Sequence, residues 1–253
     1  MNITSFPKEK IQKALTDAGA KHSGANDHIR LLFSPTDIDE NNFERACDIY
    51  SRIDPENYET VVVIESYDKV LDKKLPMPSN KYFETPLGKV EVNDYMRNEF
   101  CDEDDDFFIH DEGYHEDMSL FSQLMMLQCM FKEFSVVSVQ VADMAQSIVK
   151  ELAHVMQEVL APRRALIVFC CQLDNDCKEE FEKINKLLED DNESGLLNFL
   201  NSGESHMEGV ATFIAGVLVA KAWELDISFL ESEYNDYRGS LLTGYAERQK
   251  VLL

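Results

Sequence analysis

Four segments of the chain are apolar almost without interruption. They are "HIRLLFS" at 28–34, "ETVVVIES" at 59–66, "FSVVSVQV" at 134–141 and "RRALIVFCC" at 163–171. Each is short and rich in β-branched residues, the pattern of a strand covered on both faces, as in a parallel sheet. Between them the spacing changes to the helical period. "NNFERACDIYSRI" (41–53) sets Phe43, Ala46, Cys47 and Tyr50 on one face, "MSLFSQLMMLQCMF" (118–131) is a long apolar helix, and "MAQSIVKELAHVMQEVL" (144–160) is strongly amphipathic. Strand, helix and strand in that order make a βαβ unit. Further helices are expected at 176–188, 195–201 and 207–223, and a short one near 93–100. An N-terminal helix at about 7–19 stands as an extension, stopped at Gly19. "YFETPLGKVEVN" (82–93) reads as a hairpin: Thr85-Pro86 imposes an extended or turn geometry, Gly88 punctuates, and Val90 and Val92 alternate with polar neighbours. "DISFLESEY" and "GSLLTGYAERQKVL" supply two final strands.

No internal repeat or low-complexity linker interrupts this alternation. The expectation is therefore an α/β fold: one domain over residues 1–253, with a central, largely parallel sheet flanked by helices. In such a sheet functional loops gather at the carboxyl ends of the strands.

Composition narrows the function classes. The formal charge is −24, so nucleic-acid backbones and anionic membrane surfaces are excluded as partners by repulsion. The most acidic run, "CDEDDDFFIHDEGYHED" (101–117), lacks the alternation and terminal Glu of a calcium loop and reads as a solvated acidic loop. Asp117 at its end is placed to cap the helix that follows. The six cysteines form no CxxC pair, which points to reduced thiols and a cytoplasmic location. The longest apolar stretch, 209–223, is too short to span a bilayer and reads as a buried helix. The N-terminus shows no basic-then-apolar leader pattern.

The residues show no complete catalytic motif. The six histidines form no HxH, HExxH or Cys/His cluster, and GxSxG, P-loop and GxGxxG patterns are absent. His110 and His115, five residues apart in the acidic run, lack a metal-binding pattern around them. Cys170 and Cys171 end a buried strand with no histidine beside them, so packing on opposite faces of the sheet is expected.

The motif set resembles that of the Memo-like family, also called AmmeMemoRadiSam system protein B. "ETPLGKVEVN" resembles its Thr-Pro-Leu-Gly turn and the extended segment after it. "LLFSPTDIDENNFERACDIY" keeps Pro35, Ala46 and Tyr50 at the spacing of the segment built around PHAGY. "MSLFSQLMMLQ" keeps Ser119, Leu120, Gln123, Leu124, Leu127 and Gln128 of a segment of the form HSLEVQLPFLQ. "IVFCCQLDND" is similar to VVSSDLSHY, and "GYAERQKVL" to SYAAGAL. The resemblance runs from about residue 28 to 250 and implies the α/β fold of class III extradiol dioxygenases.

It also implies a pocket whose usual metal ligands are two histidines and a cysteine. Carried over position by position, the first histidine falls on Thr36 and the pair that ends the next strand falls on Asp68 and Lys69. The helix-start His and Glu fall on Met118 and Phe121, and the later Asp and His on Gln172 and Asn175. The cysteine falls near Gly203, where His206 is the one imidazole close by. Thr, Gln and Asn are poor ligands for borderline and soft metals. The resemblance therefore implies a protein that has lost the family's metal site. It would hold no cofactor and no metal there, and act as a non-catalytic binding or interaction protein toward an unknown protein or small molecule, alone or as a homo-oligomer. The alternative is a divergent enzyme, metal-dependent or metal-free, acting on a small polar substrate through Asp68, Asp174 and His206.

Overall fold

The computed structural model describes residues 1–22, 28–67, 71, 74–230 and 239–248. Its strands are β1 (Ile29–Ser34), β2 (Thr60–Ser66), β3 (Leu75–Met77), β4 (Tyr82–Thr85), β5 (Gly88–Val92), β6 (Phe107–Ile109), β7 (Ser135–Val141), β8 (Ala165–Cys170), β9 (Leu225–Phe229) and β10 (Gly244–Arg248). The helices are α1 (Lys8–Gly19), α2 (Phe43–Tyr50), α3 (Asp94–Glu103), α4 (Ser119–Met130), α5 (Gln146–Leu160), α6 (Lys178–Glu189), α7 (Glu193–Leu200) and α8 (Val210–Ala222).

The four apolar segments become β1, β2, β7 and β8, and they lie in one eight-stranded sheet of order β4-β5-β7-β2-β8-β1-β10-β9. The five strands from β5 to β1 pair in parallel, whereas β4, β10 and β9 pair antiparallel at the two edges. The expected α/β architecture with a mostly parallel central sheet is what the chain adopts.

Successive side chains of a strand point to opposite faces, so each strand feeds two cores. On β2, Val61 and Val63 pack with Leu32, Leu166 and Val168 beneath α1, α2 and α4. Val62 and Ile64 pack with Phe33, Ile167 and Phe169 beneath α5 and α8. Each such side chain, fully buried, contributes about 1.5–3 kcal/mol. That double covering is why these strands are apolar throughout. Cys170 and Cys171 divide between the two cores as expected. Helix α8 is apolar on every side because it is buried along almost its whole length.

The hairpin is tied to α4. Pro86 cannot take the positive φ that the usual two-residue hairpin turns need at that position. Gly88, at φ 121°, supplies a positive φ at the end of the turn instead. Thr85 Oγ1 accepts the Leu87 amide at 3.0 Å and donates to Gln128 Oε1 at 2.5 Å, while Gln128 Nε2 donates to the Gly88 carbonyl at 3.1 Å. The turn and helix motifs that carried the resemblance thus bond to each other.

Three local expectations need correction. The acidic run at 101–117 is not one solvated loop: its first residues close α3, and Phe107–Ile109 forms β6, which pairs in parallel with β3 as a separate two-stranded sheet. Phe107 is buried against Phe100 with ring centroids 5.2 Å apart, so an aromatic residue inside the acidic run holds it to the core. Strand β3 also went unread, since "LPM" is too short to show a period. Asp117 does not cap α4. The N-cap position is Met118, whose side chain makes no capping bond, and the carboxylate that serves the helix start comes from β2. Of the two final strands, β9 and β10 form, and residues 231–238 lie outside the described residues.

Candidate functional site

The carboxyl ends of β1, β2 and β8 bring Thr36 and Asp37, Glu65 to Tyr67, and Gln172 to the same side of the sheet. Beneath them, Gln123 of α4 ties the framework together. Its Oε1 accepts from Ser34 Oγ at 2.8 Å and from Tyr50 Oη at 2.7 Å, and its Nε2 donates to the Pro35 carbonyl at 2.9 Å. The loop before α8 is fastened by a backbone pair between Gln172 and Glu208, at 3.0 and 2.8 Å. Gly209, at φ 72°, starts α8 so close to the end of β8 that a Cβ there would sit 2.5 Å from the Cys170 carbonyl oxygen.

Two adjoining clefts open above this frame. The larger, of about 1100 Å³, is lined by Thr36, Asp37, Glu65, Ser66, Tyr67, Glu112, Tyr114, His115, Asp117 and several residues between 200 and 210, His206 not among them. The smaller, of about 590 Å³, shares Thr36, Asp37 and Glu208 and adds Gln172, Asp174, Asn175 and Asp176. Neither lining contains a lysine or an arginine among the described residues.

The electrostatics follow from that imbalance. Glu65 is only 3% exposed. Its Oε2 accepts the Ser119 amide at 2.7 Å, while its Oε1 and the neighbouring Ser66 Oγ are buried without a hydrogen bond. Burial pushes the Glu65 carboxyl up to about 7, against the pull of the Ser119 and Leu120 amides at the start of α4. Asp37 is also raised, first by partial burial and then by the charges of Glu208, Asp39 and Asp117. Thr36 Oγ1 donates to Glu208 Oε2 at 3.0 Å. A buried carboxyl pushed up to about 7, with an oxygen of its own and the Ser66 hydroxyl left without hydrogen bonds, favours an incoming positive charge or hydrogen-bond donor.

The positions singled out from the sequence separate into three groups. Thr36, Gln172, Asp174 and Asn175 line the smaller cleft together, and Gln172 Nε2 donates to Asp174 Oδ1 at 3.0 Å. Met118, 2% exposed, and Phe121, packed edge-on against Phe83, belong to the core under α4. His206 lines neither cleft: its ring is 76% exposed and its Nδ1 lies 3.1 Å from Glu180 Oε2. Gly203 lines the larger cleft. Asp68 and Lys69 lie outside the described residues.

Sequence reasoning passed over Glu65 and Asp37. The available signal for Glu65 was a carboxylate inside an otherwise apolar parallel strand, a placement that is rare unless the group has a task. It also passed over the meeting of Cys177, Glu180 and His206, whose donor atoms all lie within 4.8 Å of one another. No spacing rule links positions 177 and 206, so only the fold brings them together.

Residues 8–241 match the Memo-like protein family. A "MEMO1 family protein" of Nitrosopumilus maritimus (strain SCM1) is 27% identical over 124 residues, which is 49% of this chain. The match covers 45% of that relative's own length. No described helix is long and apolar enough to cross a membrane.

Proposed function

The chain belongs to the Memo-like protein family, and on that footing we propose that it is a binding protein whose cleft has exchanged the family's metal donors for an acidic lining that takes a small organic cation. The observation that carries this reading is Glu65, a carboxylate buried under the cleft with one oxygen left without a hydrogen bond. A bound ammonium or guanidinium group supplies both the missing hydrogen bond and the missing charge. Asp37, Glu112, Asp117 and Glu208 extend the same preference along the wall, and Tyr67 and Tyr114 offer ring faces to the ligand's alkyl portion.

The residues at the family's donor positions do not suit an imidazole–thiolate metal centre. Thr36 is engaged with Glu208, Gln172 and Asn175 carry amides, Gly203 has no side chain, and Met118 and Phe121 are packed in the core. The loss of that site and the absence of catalysis are parts of the same proposal. So is a cytoplasmic location, which the free state of all six cysteines supports.

Titration calorimetry on the full chain tests the reading, using mono- and diamines, guanidino compounds and matched neutral alcohols. Binding of cations alone, weakened by salt and by Asp37→Asn or Glu208→Gln, is the expected result. Equal binding of neutral analogues, or no heat with any cation, overturns it.

A second reading is favoured by the same carboxyl. A group held near 7 in a cleft is suited to general acid–base catalysis on a bound polar substrate, with Asp174 at the adjoining cleft. Turnover of a bound amine that is lost in Glu65→Gln while binding persists would select this enzyme reading over the binding protein.

A further inference from the structure

We propose that Cys177, Glu180 and His206 form a site for a divalent transition metal of the zinc and cobalt class, at the start of α6 and apart from the positions matched to the family's donors. Among the described residues this is the one group of three or more His, Cys, Asp or Glu side chains whose donor atoms converge, all within 4.8 Å of one another. Convergence has a structural cause. Cys177 is the N-cap of α6 and Glu180 lies three residues on, so both side chains fall on one face of the first turn. His206 comes from the segment fastened to the end of β8 by the Gln172–Glu208 pair.

The carboxylate is held in place before any ion arrives. The Glu180 side chain is 9% exposed. Its Oε1 accepts from Ser205 Oγ at 2.5 Å, and the His206 amide lies 3.2 Å from each of its oxygens. His206 Nδ1 is 3.1 Å from Oε2, a separation that an ion inserted between nitrogen and oxygen need change little. Cys177 Sγ makes one long contact, to Asp176 Oδ1 at 3.5 Å, which a stronger bond to a metal replaces. The bland alternative is that Glu180 merely fastens the 205–206 turn. That accounts for the two oxygens but not for a thiol and an imidazole gathered around them.

Donor chemistry selects the ion. A thiolate, an imidazole and a carboxylate suit zinc, cobalt or ferrous iron, whereas calcium and magnesium require oxygen donors. Three protein ligands and the open ring of His206 leave a fourth position for water or a ligand, as in open zinc sites. Ser205 and Met207, on either side of His206, line the larger cleft, so the three ligands border it. On binding, the thiol proton passes to solvent and the sulfur–metal bond forms; no electron is transferred.

The test uses the full chain, stripped with chelator and titrated with cobalt(II). A near-ultraviolet thiolate-to-cobalt band and visible four-coordinate bands should grow to one equivalent, and zinc should bleach them. Cys177→Ser should remove the near-ultraviolet band, Glu180→Gln and His206→Gln should weaken binding at least about tenfold, and Cys129→Ser, altering a thiol elsewhere, should leave the band intact. All four variants should retain the wild-type circular dichroism. A missing band, or one that survives Cys177→Ser, overturns the proposal. The outcome is independent of whether the acidic cleft binds cations.

Discussion

Glu65 Oε2 accepts the backbone amide of Ser119 at 2.7 Å, so the last turn of β2 toward the cleft also caps the first turn of α4. One carboxylate therefore joins the sheet to the helix and carries the charge of the site. Its two tasks conflict: the helix start favours the ionised form, and burial favours the neutral one.

Glu65→Gln should make stability less dependent on pH. Below the ordinary carboxyl value of 4.5, folded and unfolded chains both hold this proton. As pH rises toward about 7, the unfolded chain ionises first while the folded one retains the proton, so the raised carboxyl costs stability progressively. Above that the loss is complete. The amide variant keeps an oxygen for the Ser119 amide and has no proton to lose. It should be more stable than wild type by roughly 1–3 kcal/mol above neutrality and equal to it in acid. Urea unfolding across the pH range measures both; a variant no better at alkaline pH would refute the buried charge.

Cation affinity should run in the opposite direction to stability. The ionised form of Glu65 attracts the ligand, so affinity should rise as pH passes through about 7 and then level off. Asp37→Asn should lower affinity by removing a carboxylate from the wall while leaving the rise about pH 7 in place, because Glu65 carries it. Calorimetry at a series of pH values reads the slope.

Gln123→Leu should destabilise the fold by about 2–4 kcal/mol. It would strip partners from Ser34 Oγ, Tyr50 Oη and the Pro35 carbonyl at once. Gln123→Glu keeps the acceptor toward the two hydroxyls but loses the donor to Pro35, and should fall between. Denaturant midpoints order the three proteins.

Gly209→Ala should cost about 2 kcal/mol or more, since it combines a left-handed backbone with a clash. The new Cβ would meet the Cys170 carbonyl oxygen at 2.5 Å and Thr212 Oγ1 at 2.8 Å. The start of α8 must then retreat from β8, so ligand affinity should fall along with the melting temperature. Unchanged affinity in a folded variant would detach α8 from the cleft wall.

Much of the architecture was determined by local sequence. Segments such as "TVVVIES" and "ALIVFC" are apolar on both faces, and that pattern is satisfied only by a strand covered on both sides. The helical period between them required a crossover, and the α/β sheet followed. The Thr85 and Gln128 motifs were likewise legible, though the bonds between them were not. Strands β3 and β6 were hidden because three residues carry no period and their partner lies elsewhere in the chain.

Tertiary structure alone decided the chemistry. Glu65 is a strand residue like its neighbours until α4 docks over it and removes its water. Asp37 meets Glu208 only because β1 and the segment before α8 end on the same side of the sheet. Cys177 and His206 lie far apart in sequence and share a turn of space through the Gln172–Glu208 pairing. Pattern along a chain reports which residues seek burial, because burial is a property of each residue with its near neighbours. The energy of a charge depends on every dipole and charge around it, and those neighbours are chosen by the fold.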